Sequence, residues 1–263
     1  MLSKVFATLA VVITGSILLY GVTDFPAFGD PKSPASAGVP GSESVSQYFI
    51  TESYGDTKVP NLVTSVLADY RGYDTMFETV VIFAAGMAIF AILRVVGDEK
   101  DSRKKRVEEN TFTNGDHSRI IVGTTCRIVV PVIQLFALYV IAHGHHSPGG
   151  GFQGGVILGA SFIILALSDH LNAALRRFSE KSYTIIAVVG ILIYAAFGVV
   201  AQLLGANFLD YGVLQPLLFT DGPEMARSHS MLGVEIGVAF TVTAIMFAIY
   251  ANLSTRGLLR NGL

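Results

Sequence analysis

Long apolar runs separated by short polar segments dominate this chain. Six of them are Val5–Val22, Met76–Val96, Ile120–Ala142, Gly151–Leu167, Ile185–Leu204 and Met231–Asn252. Each is near the length of about 20 residues that a helix needs to cross a hydrocarbon core of about 30 Å. Backbone in lipid must satisfy its own hydrogen bonds, so each run predicts a helix. The expected fold class is all-α, a polytopic membrane protein with about six spans. The approach to the second span has a different rhythm. "PNLVTSVLADYRGYDTMFETVV" puts Leu62, Val63, Val66, Leu67 and Tyr70 on one helical face. One helix from Asn61 to Val96 would be about 54 Å long, more than a bilayer requires. A short interfacial helix, a break near Gly72 and then the span are expected. Thr23 to Lys58, rich in Pro, Gly and Ser, and Gly205 to Ser230 read as outer loops. The first run partly fits a signal peptide, with Lys4 ahead of it, but it exceeds a usual h-region and reads as a retained anchor.

Composition agrees with the pattern. Of 263 residues, 51% are hydrophobic and 14% charged, against about a quarter charged in soluble domains. The lone Cys126 makes no internal disulfide or iron–sulfur site and reads as a small apolar filler. The positions of Lys and Arg matter more than the net charge of −2. With the N-terminus in the cytoplasm, thirteen of them fall on the cytoplasmic side: Lys4, Arg94, Lys100, Arg103, Lys104, Lys105, Arg106, Arg119, Arg176, Arg177, Lys181, Arg256 and Arg260. Lys32, Lys58, Arg71 and Arg227 fall outside, and Arg127 lies within a span. The positive-inside rule then predicts that both termini are cytoplasmic. A reporter fused at Arg103 is expected to read cytoplasmic and one at Ser36 external; the reversed pair of signals overturns this orientation. The basic run "GDEKDSRKKRVEENTFTNGDH", residues 97–117, reads as a solvated cytoplasmic linker and not as a nucleic-acid patch.

The polar groups near the membrane carry the candidate chemistry. Asp69, Arg71, Asp74 and Glu78 crowd around the predicted break, with Asp74 and Glu78 on one helical face. Two readings stand: headgroup-level charges that fix the helix end, or the mouth of an ion path in which Glu78 is deepest. Arg127 and Glu235 are charges inside spans, where exposure to hydrocarbon is costly, so protein, water or a partner is expected beside each. Pairing with a neighbouring subunit is the structural reading for both, and proton or ion handling the functional one for Glu235. "HGHHSPGGGFQGG" raises three readings. His143, His145 and His146 suit a metal only from an extended loop, and no Cys or nearby carboxylate joins them. The glycines lack the Gly-Lys-Ser/Thr end of a phosphate loop. Gly149, Gly150, Gly151, Gly154, Gly155 and Gly159 instead place small residues where helices approach closely. The histidines border that turn, as loop hydrogen-bonding groups or as proton carriers at an aqueous face.

"HGHHSPGGGFQGGVILGASFIIL" and "GVEIGVAFTVTAIMFAIY" closely resemble the signature regions of the B-type component of Mrp-type multisubunit cation/proton antiporters, and of its homologue in group 4 membrane-bound hydrogenases. "LADYRGYDTMFETVVIFAAG" resembles the C-terminal tail of the large A-type antiporter component, which is a separate small protein in the hydrogenases. The resemblance implies a two-helix module at 1–96, the linker at 97–117 and a four-helix module at 118–263. It implies a multi-pass protein of the plasma membrane, with other subunits of the same complex as partners and Na+ and H+ as the transported ions. Such components border a sodium or proton route, here with Glu78, Asp74, Glu235, Asp69, Arg71 and the three histidines as ion-pathway candidates. Without the dozen or so spans of a pumping subunit, or any nucleotide, flavin or metal motif, the chain is not expected to be an enzyme or a complete transporter. The alternative is an adaptor in the membrane arm of a redox-driven complex that conducts no ions.

Overall fold

The computed structural model describes residues 2–30, 33, 44–95 and 117–255. The charged linker up to Asp116, Ser36, Lys32 and the basic residues after Thr255 lie outside the described residues. Arg94 and Arg119 are described in backbone only.

All regular structure among the described residues is helical. The elements are α1 (Leu2–Val22), α2 (Val45–Thr57), α3 (Leu62–Ser65), α4 (Gly72–Val95), α5 (His117–Ala142), α6 (Gly151–Asp169), α7 (Leu171–Arg177), α8 (Glu180–Leu203), α9 (Gln215–Leu218) and α10 (Pro223–Thr255). Six helices are long and apolar enough to span a membrane: α1, α4, α5, α6, α8 and α10. The chain is a multi-pass membrane protein.

Residues 1–52 form one compact unit and residues 53–263 another. In the first, α1 carries exposed apolar residues on all sides, among them Val11, Leu19 and Tyr20. The second unit is built around α10, whose central face is buried along most of its length. Small residues set how closely its neighbours approach. A Cβ on Gly155 of α6 would lie 3.0 Å from the Ala239 carbonyl oxygen, and one on Gly237 of α10 would lie 2.7 Å from the Gly190 carbonyl oxygen of α8. Hydroxyls join the helices across these contacts: Thr241 donates to the Ala187 carbonyl at 2.9 Å and Thr243 to the Gly155 carbonyl at 3.1 Å. On the other side, Gln134 of α5 donates to Ser161 of α6 at 3.1 Å. Pro131 sits inside α5, a placement that membrane helices tolerate when neighbours satisfy the freed backbone.

The structure revises two expectations, since both predicted outer loops contain helix. Gly205 to Ser230 holds α9 and the first turns of α10, while the break expected near Gly72 is found beside it. The predicted loop Thr23 to Lys58 contains α2, whose sequence "VSQYFITESYGDT" lacks the long apolar run that marks the spans. The break before the second span falls at Arg71, after a π-helical turn over Val66–Tyr70. Asn61 caps α3 by accepting from the Val63 N–H. The π turn sends the Arg71 N–H to the Val66 carbonyl at 2.8 Å. The Leu67 carbonyl receives the Thr75 hydroxyl at 2.7 Å instead, so the irregular backbone is satisfied across the break.

Candidate functional site

The glycine turn joins α5 to α6 and is stitched to the start of α3. The Asn61 amide donates to the carbonyls of Gly144 and Ser147 at 2.9 and 2.7 Å. The Thr64 hydroxyl also donates to the Gly144 carbonyl, at 2.7 Å, and the Asn61 N–H donates to the His145 carbonyl at 3.0 Å. These bonds hold the turn against α10, where Glu235 lies beneath it. A Cβ on Gly144 would be 2.5 Å from Glu235 Oε2, and one on Gly150 would be 2.5 Å from Oε1. A Cβ on Gly151 would overlap the Glu235 carbonyl oxygen. The glycines therefore form a ledge that lies directly on this carboxylate, and any side chain there would displace it. Farther along α6, a Cβ on Gly154 would overlap the Ile141 side chain, one on Gly159 would lie 3.1 Å from the Thr243 carbonyl oxygen, and one on Gly149 would lie 2.8 Å from Val140.

A cavity of about 490 Å³ opens beside the ledge. Glu78, Thr75, Asn61, Gln153 and Glu235 supply its polar lining, with Gly149, Gly150 and Gly151 forming one wall. Glu78 is exposed on the α4 side. Glu235 Oε2 is buried with no hydrogen-bond partner among the described residues. The start of α6, which has no side-chain cap, lies in this wall.

The charges around the break do not form one cluster. Asp69, with only 6% of its side chain exposed, accepts from Arg227 Nε at 2.6 Å and also contacts Arg227 Nη2 at 2.6 Å. Burial raises the Asp69 carboxyl above its ordinary range, and Arg227 opposes that rise. Tyr70, stacked beneath the Arg227 guanidinium at 5.4 Å, donates to Asp56 at 2.6 Å. Arg71 pairs with Asp74 one turn along, both largely exposed. Glu78 alone of the four faces the cavity. Arg127, expected beside a neighbouring subunit, instead donates to Asp169 of the same chain at 2.9 and 3.0 Å.

The histidines separate as well. His143 stacks on Tyr139 with ring centres 4.0 Å apart, and His146 is exposed. His145 is half-buried, and its Nε2 has no partner among the described residues. Burial holds its pKa below the ordinary value, with His146 and His229 adding to the shift. A histidine whose folded pKa is depressed contributes stability above its unfolded pKa of about 6.5 and loses it as pH falls through the folded value. His145→Gln is therefore expected to flatten the drop in melting temperature between about pH 7 and pH 5. A variant with the same drop as the parent would show that His145 does not carry it. Among the described residues, no group of three or more His, Cys, Asp or Glu is placed to hold a metal.

Residues 121–248 match the model of a domain related to the MnhB subunit of Na+/H+ antiporters. This segment is similar to that domain. It contains the glycine turn, Arg127 and Glu235. Residues 36–109, which contain Glu78, match the model of MbhE, a component of MBH. The chain is 26% identical over 180 residues to a probable K(+)/H(+) antiporter A/B component of Rhizobium meliloti (strain 1021), covering 64% of this chain and 18% of that protein. It thus spans less than a fifth of that relative's length. Over 137 residues it is 26% identical to a Staphylococcus aureus (strain Newman) protein named as antiporter subunit mnhB2, covering 51% of this chain and 94% of the relative. These relatives are named as antiporter subunits, not as enzymes. In fold it resembles a chain of the archaeal membrane-bound sulfane sulfur reductase (TM-score 0.62, 24% identity, 96% of this chain and 98% of that one). It also resembles a chain of the Mrp complex from Dietzia sp. DQ12-45-1b (TM-score 0.56, 21% identity, 94% of this chain and 26% of that one).

Sequence reasoning missed three features: the Asp69–Arg227 pair, the Arg127–Asp169 pair and the Gly190–Gly237 contact. Only the last left a local signal, an isolated small residue inside each of two apolar runs.

Proposed function

We propose that this chain is an integral component of a multisubunit Na+/H+ antiporter of the plasma membrane, and that it lines part of the cation and proton route with Glu78 and Glu235. One observation carries the reading. Carboxylates from the MbhE-like stretch and from the MnhB-related domain open on one cavity, and the Glu235 Oε2 there is buried without a partner among the described residues. Buried polar atoms are nearly always satisfied, and a hydrated cation or proton carrier in the cavity meets that need. The other subunits of the complex are the partners, and Na+ and H+ the transported ions. The chain is read as two modules, 1–96 and 118–263, joined by a cytoplasmic linker.

Glu78→Gln tests the route. The change keeps shape and removes the charge. Cation-dependent proton transport in membrane vesicles, measured with Na+ and with K+, is expected to fall while the complex stays assembled. Asp74→Asn is expected to do less, because Asp74 is exposed and tied to Arg71. Normal transport by Glu78→Gln removes it from the route.

A second reading, an adaptor in the membrane arm of a redox-driven complex, is favoured by the end-to-end likeness to a chain of the archaeal reductase complex. It predicts that neutralising both Glu78 and Glu235 leaves transport unchanged in an assembled complex.

A further inference from the structure

The Arg127–Asp169 pair lies at the end of α6 remote from the glycine turn. Arg127 is six residues inside the span Ile121–Ala142, about 9 Å along the helix. Its neighbours Val122, Ile128, Val129 and Val132 are exposed apolar residues. Asp169 is the last residue of its span, so the guanidinium reaches back to the membrane edge. The Arg127 side chain is still 66% exposed after pairing, against 21% for Asp169. Of the five N–H donors on a guanidinium, Nε and one on Nη2 go to the carboxylate. The rest are not bonded to Asp169.

The residues after Asp169 add positive charge. His170 has φ 76° and turns the chain into α7. That short helix buries Ala174 and Leu175 and leaves Arg176 and Arg177 exposed. Arg177 and His170 are close enough to act electrostatically on Asp169. The guanidiniums of Arg127 and Arg177 thus act on one carboxylate, at the level where apolar spans end. A long cationic side chain at this level keeps its stem in lipid and turns its head to the interface. The anion that meets it there is a phosphate ester.

We infer that this corner binds the headgroup phosphate of an anionic phospholipid, with Arg127 and Arg177 as donors and Asp169 as an internal competitor for Arg127. This site is independent of the ion route. The competitor gives the test its discrimination. The full chain, purified in detergent and stripped of lipid, is titrated with phosphatidylglycerol, phosphatidylcholine or inorganic phosphate, and followed by native mass spectrometry and thermal shift. Phosphatidylglycerol is expected to bind about tenfold more tightly than phosphatidylcholine. Arg177→Gln, which leaves the Arg127–Asp169 pair intact, is expected to weaken that binding several-fold, as is Arg127→Gln. Asp169→Asn is expected to tighten it, because it frees the guanidinium. Three results overturn the inference: equal affinity for the two lipids, an Asp169→Asn chain that loses lipid binding as Arg127→Gln does, or inorganic phosphate at millimolar concentration giving the whole shift.

Discussion

Gly151→Ala should leave the chain without a stable packing of α6 on α10. The added Cβ would overlap the carbonyl oxygen of Glu235 and lie 2.7 Å from its carbon. The obstacle is helix backbone, which cannot swing aside as a side chain does. Relief requires α6 and α10 to separate, which also breaks the Thr243 bond to Gly155 and lifts the glycine ledge from Glu235. Overpacking of this kind costs about 3 kcal/mol or more. The expected result is loss of the cooperative melting transition in detergent and of complex assembly on native gels. Gly21→Ala is the control, since nothing lies within 4 Å of a Cβ there. A Gly151→Ala chain that melts with the parent would mean the two helices are not in backbone contact.

Glu235→Gln should have the largest effect on transport with the fold intact. Glutamine fills the same volume beneath Gly144 and Gly150, so the ledge stays in place. The variant loses a titratable carboxyl facing the cavity, and ionisable groups within spans are costly and are usually retained for a task. Cation-dependent proton transport in vesicles is expected to fall by roughly an order of magnitude or more. Glu235→Asp keeps the titratable carboxyl but draws it back from the cavity by one methylene, so transport should be intermediate. Transport equal to the parent in both variants would favour the adaptor reading.

The six spans were legible because a lipid-embedded helix is recorded locally, as one uninterrupted apolar run. α2 was not, because its mixed polar sequence resembles a loop and only its backbone bonds distinguish it. Asp69 could be seen to sit near a break, but its partner is Arg227, 158 positions away, and no local pattern encodes such a pairing. Arg127 illustrates the same limit. The apolar run ends at Leu167, two residues short of Asp169, so the sequence points to a partner on another chain. Glu78 and Glu235 each stood out as charges near the outer end of a span. That they line one cavity depends on how α4 and α10 are rotated, which their flanking residues do not specify.

The stitches between the two halves have one more consequence. Asn61, Thr64, Gly72 and Asp69, which precede the charged linker in sequence, bond with Gly144, Ser147, Tyr194 and Arg227, which follow it. Covalent continuity then acts as a high local concentration of one stretch for the other, and these bonds are the part of the association that a break in the linker would leave.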